Sequence, residues 1–206
     1  DDPLAALQRL GTAWRRALGA QVIGITGSTG KTSTKDLLRG MLAPQRRVVA
    51  TEQNLNTEIG LPLTILGAPE GTEVLVLEMA MRGSEQIAEL VALAEPDVGV
   101  IVNVGPVHLE LLGSIEAIAA AKAELVRDMP AGGTAVLNAS DPASALLDEV
   151  IDSSVRRVGY AARPIPEECA SLPIALEAKE VTIDVDGTHA LLAPSPIADA
   201  LGGRLD

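Results

Sequence analysis

Residues 22–42 read VIGITGSTGKTSTKDLLRGML, and the fold is decided there. Val22 to Thr26 is a short β-branched, apolar run, Gly27-Ser28-Thr29-Gly30 is a glycine-rich turn, and a helical stretch follows from about Thr32 to Leu42, ending near Pro44. Strand, turn and helix in that order suit a phosphate group. Glycines let backbone N–H groups turn inward around phosphate oxygens, and the helix N-terminus adds positive potential. Lys31 is long enough to reach the β and γ phosphates of a nucleotide, and Thr32 offers a hydroxyl to Mg²⁺. The spacing is compact: the ordinary G-x-x-x-x-G-K-S/T pattern wants glycine where this chain has Ile25, and its first glycine is Gly27. A plain glycine turn followed by an incidental Lys-Thr is the competing reading.

Outward from this loop the same alternation repeats. Asp2-Pro3 caps an amphipathic helix over residues 3–18, with Leu4, Leu7, Leu10, Trp14 and Leu18 at helical spacing. Strands are predicted near 47–51 and at 74–78, 98–103 and 134–138. Helices are predicted at 84–94, from about Ser114 to Met129, and from Asp141-Pro142 to about Ile151, with a mixed segment at 54–67. VLVLE and VGVIVN are continuously apolar, as strands covered on both faces are. The expected fold is therefore α/β: a doubly wound, mostly parallel sheet carrying a P-loop. Residues 173–185 and 188–192 read as short strands around an Asp186-Gly187 turn, a small antiparallel C-terminal appendage. Arg163-Pro164-Ile165-Pro166 reads as a flexible loop.

Composition narrows the function classes. The 206 residues are 47% hydrophobic yet contain no Phe, one Trp and one Tyr, so Leu, Ile, Val, Ala and Met must fill the core. A lone Cys169 excludes an internal disulfide and a cysteine metal centre, and fits a reducing compartment. No apolar run reaches membrane-spanning length and no signal peptide is visible, so a soluble, cytoplasmic chain is expected. Net charge is −12, which argues against nonspecific nucleic-acid binding, but residues 1–50 carry 8 of the 16 Lys and Arg and only 3 of the 28 acids. Such a local basic region fits either a small anionic ligand or a solvated helix face.

The compact Thr26-Gly27-x-x-Gly30-Lys31-Thr32 loop resembles that of the Mur ligase family, and later blocks agree in order. These are Asn54-Leu55-Asn56-Thr57-Glu58, Glu78-Met79-Ala80-Met81-Arg82-Gly83, Val107-His108-Leu109-Glu110, Ala121-Lys122-Ala123-Glu124-Leu125 and Leu137-Asn138. The likeness covers residues 1 to about 192, with Ala80 and Ser140 as departures. It implies a connecting helix at 1–20 and the family's central ATPase domain at 21–206, with N-terminal and C-terminal domains expected beyond the chain.

Within the family, the run after the loop is most similar to members that join D-alanyl-D-alanine to UDP-N-acetylmuramoyl-tripeptide. The resemblance thus implies an ATP-dependent, Mg²⁺-requiring amide ligase of peptidoglycan precursor synthesis, monomeric and without nucleic-acid or membrane partners. The chain alone is expected to be inactive. Another ligase of the superfamily, such as a folylpolyglutamate synthase, and a nucleotide-binding module without ligase activity are the alternatives.

Residue by residue, the resemblance places Thr26, Gly27, Ser28, Thr29, Gly30, Lys31 and Thr32 around ATP phosphates. It makes Glu78, at the carboxyl end of a strand, a Mg²⁺ ligand, where a surface acid is the plainer reading. His108 would reach a second Mg²⁺ or else be a hydrogen-bonded loop residue. Lys122 would be carbamylated and face the metal, although an ordinary helix lysine is the plainer reading. Asn138 would touch adenine or satisfy its own turn, and Asn56 and Thr57 would face the muramoyl-peptide or form an Asn-rich turn. Lys31, Lys122 and His108 are the implied catalytic set.

Overall fold

A computed structural model describes residues 2–107, 109–183, 188–200 and 203–205. The Asp2 carboxylate accepts the Leu4 and Ala5 N–H groups at 2.9 and 3.2 Å and starts helix α1 (Pro3–Leu18). The order then runs β1 (Gln21–Thr26), α2 (Lys31–Leu42), β2 (Val48–Ala50), α3 (Gly60–Leu66), β3 (Val74–Glu78), α4 (Gln86–Ala94), β4 (Val98–Ile101), α5 (Leu109–Leu112) and α6 (Ile115–Arg127). It continues through β5 (Thr134–Asn138), α7 (Ser144–Glu149), β6 (Arg156–Ala161), β7 (Ile174–Ile183), β8 (Thr188–Leu192), α8 (Pro196–Ala200) and β9 (Arg204–Leu205).

The strands form one sheet in the order β2-β3-β1-β4-β5-β6-β7-β8-β9. Every pair from β2 through β7 is parallel, and the last two pairs are antiparallel. The expected parallel sheet and antiparallel ending are thus both present, with one connection the sequence did not suggest. The start of β7 runs parallel to β6 and its remainder pairs with β8, so the ending continues the main sheet instead of hanging from it. The Asp186-Gly187 turn lies outside the described residues.

Strand β6 has no counterpart in the sequence reading. It opens with Arg156-Arg157 and contains Gly159, which breaks the apolar pattern; its pairing with β5 from Thr134↔Arg156 to Asn138↔Tyr160 is what makes it a strand. α5 and α8 are likewise absent from that reading, each being too short to show a helical period.

Helices cover both faces of the sheet. Leu38 and Leu42 of α2 pack on a small cluster of Ile25, Val74, Val76 and Val100, while α3, α4 and α6 close a larger core around Leu75, Leu77, Ile87, Leu125 and Leu137 on the other face. α1 joins the larger core through Trp14, whose indole donates to the Ala68 carbonyl at 2.9 Å, and Arg15, whose guanidinium donates to the Ala94 and Glu95 carbonyls at the end of α4.

The placement of α6 matters most for the site. Gly24 of β1 and Gly99 of β4 are register partners, and a Cβ on either would stand 3.1–3.2 Å from Leu125. Two adjacent strands therefore leave room for α6 to lie close against the sheet. The helix is fixed sideways by Glu124, a buried carboxylate that accepts the Glu85 and Ala88 N–H groups at 2.7 and 3.0 Å and so caps the N-terminus of α4. Losing those charge-assisted bonds leaves the first turn of α4 unsatisfied. Glu124→Ala is expected to cost about 2 to 3 kcal/mol in urea unfolding.

Candidate active site

The loop between β1 and α2 sits at the carboxyl edge of the sheet, where the segments after β3, β4 and β5 also converge. At its root Thr26 is fully buried and its hydroxyl donates to the Met79 carbonyl at 3.0 Å. The Thr26 hydroxyl is thus turned toward the β3 extension. Thr26 pins the loop there.

Asn103, just past β4, braces the loop tip. Its carbonyl accepts the Ser28 N–H at 3.1 Å, and its side chain exchanges bonds with Thr29, accepting the N–H and donating to Oγ1, both at 3.0 Å. The Ser28 hydroxyl donates to the Gly105 carbonyl at 3.0 Å and accepts the Gly105 N–H at 2.8 Å. Asn103 is 74 residues from Thr29, and nothing local in the sequence marks it. Gly30 has φ 78°, a left-handed conformation that glycine adopts without strain, and a Cβ on Gly27 would stand 3.1 Å from Val102.

With Ser28 and Thr29 engaged, the anion-facing donors are those of the first turn of α2. That helix has no side-chain cap and no acid of its own in its first turn, so its first N–H groups are not satisfied from within the helix. Lys31 folds over the loop, its Nζ donating to the Gly27 carbonyl at 2.8 Å.

Opposite stands Glu78 at the end of β3, 3% exposed. Thr32 Oγ1 donates to one of its oxygens at 2.8 Å and Asn56 Nδ2 to the other at 2.9 Å. The Glu78 N–H donates to Thr51 Oγ1 at 3.0 Å, and the Thr51 carbonyl accepts the buried Lys35 ammonium at 2.8 Å. Among the described residues no cationic side chain pairs with the Glu78 carboxylate. A buried carboxylate served only by neutral donors, with a helix-start hydroxyl against it, is a hard-oxygen pair suited to Mg²⁺. Nowhere among the described residues do three or more His, Cys, Asp or Glu side chains converge on a metal position. A magnesium ion here would take Thr32 and Glu78 from the protein and phosphate oxygens from a nucleotide, the usual division for this ion.

Lys122 of α6 is 2% exposed. Burial, helped by the nearby Lys31 charge, pulls its ammonium down from 10.5 to about 8. About a tenth of the side chain is then neutral at pH 7, against less than about one part in a thousand for an ordinary lysine. The plain solvated-lysine reading fails on that burial. His108 lies outside the described residues.

The remaining expected residues occupy two clefts. Asn56 and Thr57 line one of about 520 Å³ with Ala80 and Arg82. Asn138 lines another of about 420 Å³ with Asn103 and Tyr160. Its amide donates to the Val102 carbonyl at 3.2 Å and its oxygen accepts the Ser140 N–H at 3.1 Å, so it satisfies its own turn while facing the cleft. Asp141 ties this corner together, accepting the Val104 N–H at 2.7 Å and the Ala143 N–H at 3.0 Å, a role its place in Asp-Pro did not advertise.

Fold and site together define a P-loop domain of the doubly wound α/β class, built to hold a nucleotide at the carboxyl edge of its sheet. The chain belongs to the Mur ligase family, whose middle-domain model matches residues 25–190. The UDP-N-acetylmuramoyl-tripeptide–D-alanyl-D-alanine ligase of Mycobacterium tuberculosis strain H37Rv is 49% identical over 158 residues, 75% of this chain and 31% of that protein. The ligase of the same name from Bacillus subtilis strain 168 is 47% identical over 142 residues, 69% and 31% respectively. The chain thus spans about a third of the length of these curated relatives. Among solved structures, MurF ligase from Thermotoga maritima in complex with ADP has a TM-score of 0.80 at 32% identity, covering 93% of this chain and 42% of that one. A MurF crystal structure from Acinetobacter baumannii has a TM-score of 0.84 at 26% identity, covering 95% and 41%.

The depressed Lys122 value gives a signed expectation. Between about 8 and 10.5 the folded chain binds fewer protons than the unfolded one, so this group makes stability rise with pH across that window and penalises the fold below it. Lys122→Met removes the penalty. At pH 7 it is expected to unfold at least about 2 °C above the parent, with the gap closing toward pH 10.5, as followed by circular dichroism melts.

Proposed function

We propose that the chain is the ATP-using middle domain of a ligase that joins D-alanyl-D-alanine to UDP-N-acetylmuramoyl-tripeptide in peptidoglycan precursor synthesis. The observation that carries this reading is the hydrogen bond from Thr32, next to Lys31 at the start of α2, to the buried Glu78 carboxylate. It sets a phosphate-binding turn and a metal-type carboxylate on one spot, in a chain about half identical to ligases of that name.

In the reaction, a terminal carboxylate oxygen of the tripeptide bonds to the γ-phosphorus of ATP. The bond from that phosphorus to the β,γ-bridging oxygen breaks, giving an acyl phosphate and ADP. The amine of D-alanyl-D-alanine then bonds to the acyl carbon, the carbon–oxygen bond to phosphate breaks, and the amine gives up a proton. Little of this chemistry is covalent work for the protein; positioning and charge neutralisation dominate.

Lys31 leaves the Gly27 carbonyl for the γ-phosphate oxygens, with the exposed N–H groups of Gly30, Lys31 and Thr32 beside it. Thr32 and Glu78 would hold Mg²⁺, which would supply charge neutralisation on the nucleotide phosphates. The cleft at Asn138 takes adenine. The neutral Lys122 amine would add CO₂ with loss of a proton, and Lys122, as that carbamate, and His108 would be the further residues to hold the metal. Asn56 and Thr57 face the muramoyl-peptide. Residues 1–20 act as a connecting helix and 21–206 as the ATPase domain of a monomeric cytoplasmic enzyme.

The test is ADP release by the complete product of the gene. Release that requires both the tripeptide and D-alanyl-D-alanine is expected, and Lys31→Ala is expected to lower kcat/KM for ATP at least about 10³-fold. Release that ignores either substrate, or nucleotide binding with no turnover under any pairing of substrates, would contradict the proposal.

A further inference from the structure

The cleft of about 520 Å³ beside Glu78 contains a cation that the reading so far does not use. It runs from Asn56, whose amide holds the Glu78 carboxylate, past Ala80 to Arg82 and Gln86. Arg82 lies on the loop between β3 and α4, and that loop is fastened along its length. The Met79 N–H donates to the Ile25 carbonyl at 2.8 Å and the Ala80 N–H to the Asn56 carbonyl at 2.9 Å. Gln86 Oε1 accepts the Arg82 and Gly83 N–H groups at 2.7 and 3.3 Å, and Glu124 accepts the Glu85 N–H at 2.7 Å. The Arg82 guanidinium, by contrast, makes no hydrogen bond or ion pair with any described residue. A backbone bolted at four points thus carries a charged fork, with its donors unspent, at the rim of a polar cleft.

The chemistry of the acceptor says what that fork would meet. On the reading above, in which Asn56 and Thr57 face the muramoyl-peptide and its reacting carboxylate lies against the γ-phosphate, the preceding residues run along the cleft that these two side chains line. A glutamyl residue keeps one free carboxylate after its other has entered a peptide bond. A diaminopimelyl residue, part of the substrate for which an Acinetobacter baumannii ligase of the same fold is named, keeps one after the other has reacted. We infer that Arg82 binds a non-reacting carboxylate of the tripeptide and so selects for an acidic acceptor peptide. The inference rests on the ligase reading above. Guanidinium and carboxylate match as a two-pronged, charge-assisted pair, which a lysine at the same position could not reproduce.

Steady-state kinetics on the complete gene product test it, with Arg82→Ala and Arg82→Lys against three acceptors. These are the diaminopimelyl tripeptide, the same peptide amidated at the glutamyl carboxylate, and the lysyl tripeptide, which lacks the second carboxylate of diaminopimelate. Arg82→Ala is expected to raise KM for the diaminopimelyl tripeptide about 10- to 100-fold. KM for ATP and the melting temperature should stay within experimental spread, and Arg82→Lys should recover only part of the loss. With one of the two modified acceptors the parent should itself bind weakly and the Arg82→Ala penalty should vanish, which identifies the carboxylate. An unchanged KM in Arg82→Ala, or a penalty that persists with both modified acceptors, overturns the assignment while leaving the ligase reading intact. No turnover of any tripeptide by the parent overturns the ligase reading and this one with it.

Discussion

A carboxylate with both oxygens taken by neutral donors, 3% exposed at the end of a strand, is the constraint around which the site is arranged. Burying an ionised group without a cation is costly, so its neighbours must be placed to offset that cost, and each of them is. Thr32 comes from the first turn of α2, Asn56 from the segment after β2, and Thr51 fixes the strand end from the edge strand side. Lys35, one turn further along α2, holds the Thr51 carbonyl. The same helix therefore supplies both a direct partner of Glu78 and the clamp on its neighbour, and the phosphate loop and the metal-type carboxylate cannot drift apart.

The second cation-bearing element is set by packing. Gly24 and Gly99 clear a strip of the sheet for Leu125, and Glu124 fastens α6 to the start of α4. Lys122 is thereby carried into the interior near Lys31, where desolvation lowers its affinity for a proton. Burial thus lowers the pKa of the Lys122 ammonium to about 8, and the glycines and the buried cap that place it there have no polar role in the site themselves.

Much of this was legible in the sequence, for physical reasons. A β-branched run, two glycines and Lys-Thr opening a helix specify strand, turn and helix locally, and VLVLE ending in an acid places Glu78 on the sheet edge. What escaped depends on contacts far apart in sequence. Asn103 braces the loop across 74 residues, and the partner of the Thr26 hydroxyl, Met79, is 53 residues away. Strand β6 depends on pairing with β5 more than on its own composition, since arginines and a glycine interrupt it. The burial of Lys122 is likewise tertiary: on the helix surface pattern alone it reads as solvated, and only the likeness to a family pointed inward.

The central claim, that Glu78 and Thr32 form one Mg²⁺-nucleotide site with the loop, is tested most directly by calorimetric titration of a non-hydrolysable ATP analogue. The titrations use the parent chain and Glu78→Gln, each with Mg²⁺ and with EDTA. The account predicts that Mg²⁺ tightens binding to the parent at least about tenfold and that Glu78→Gln, folded and still able to accept the Thr32 hydroxyl, loses that enhancement while keeping the metal-free affinity. An unaltered Mg²⁺ enhancement in Glu78→Gln would contradict it.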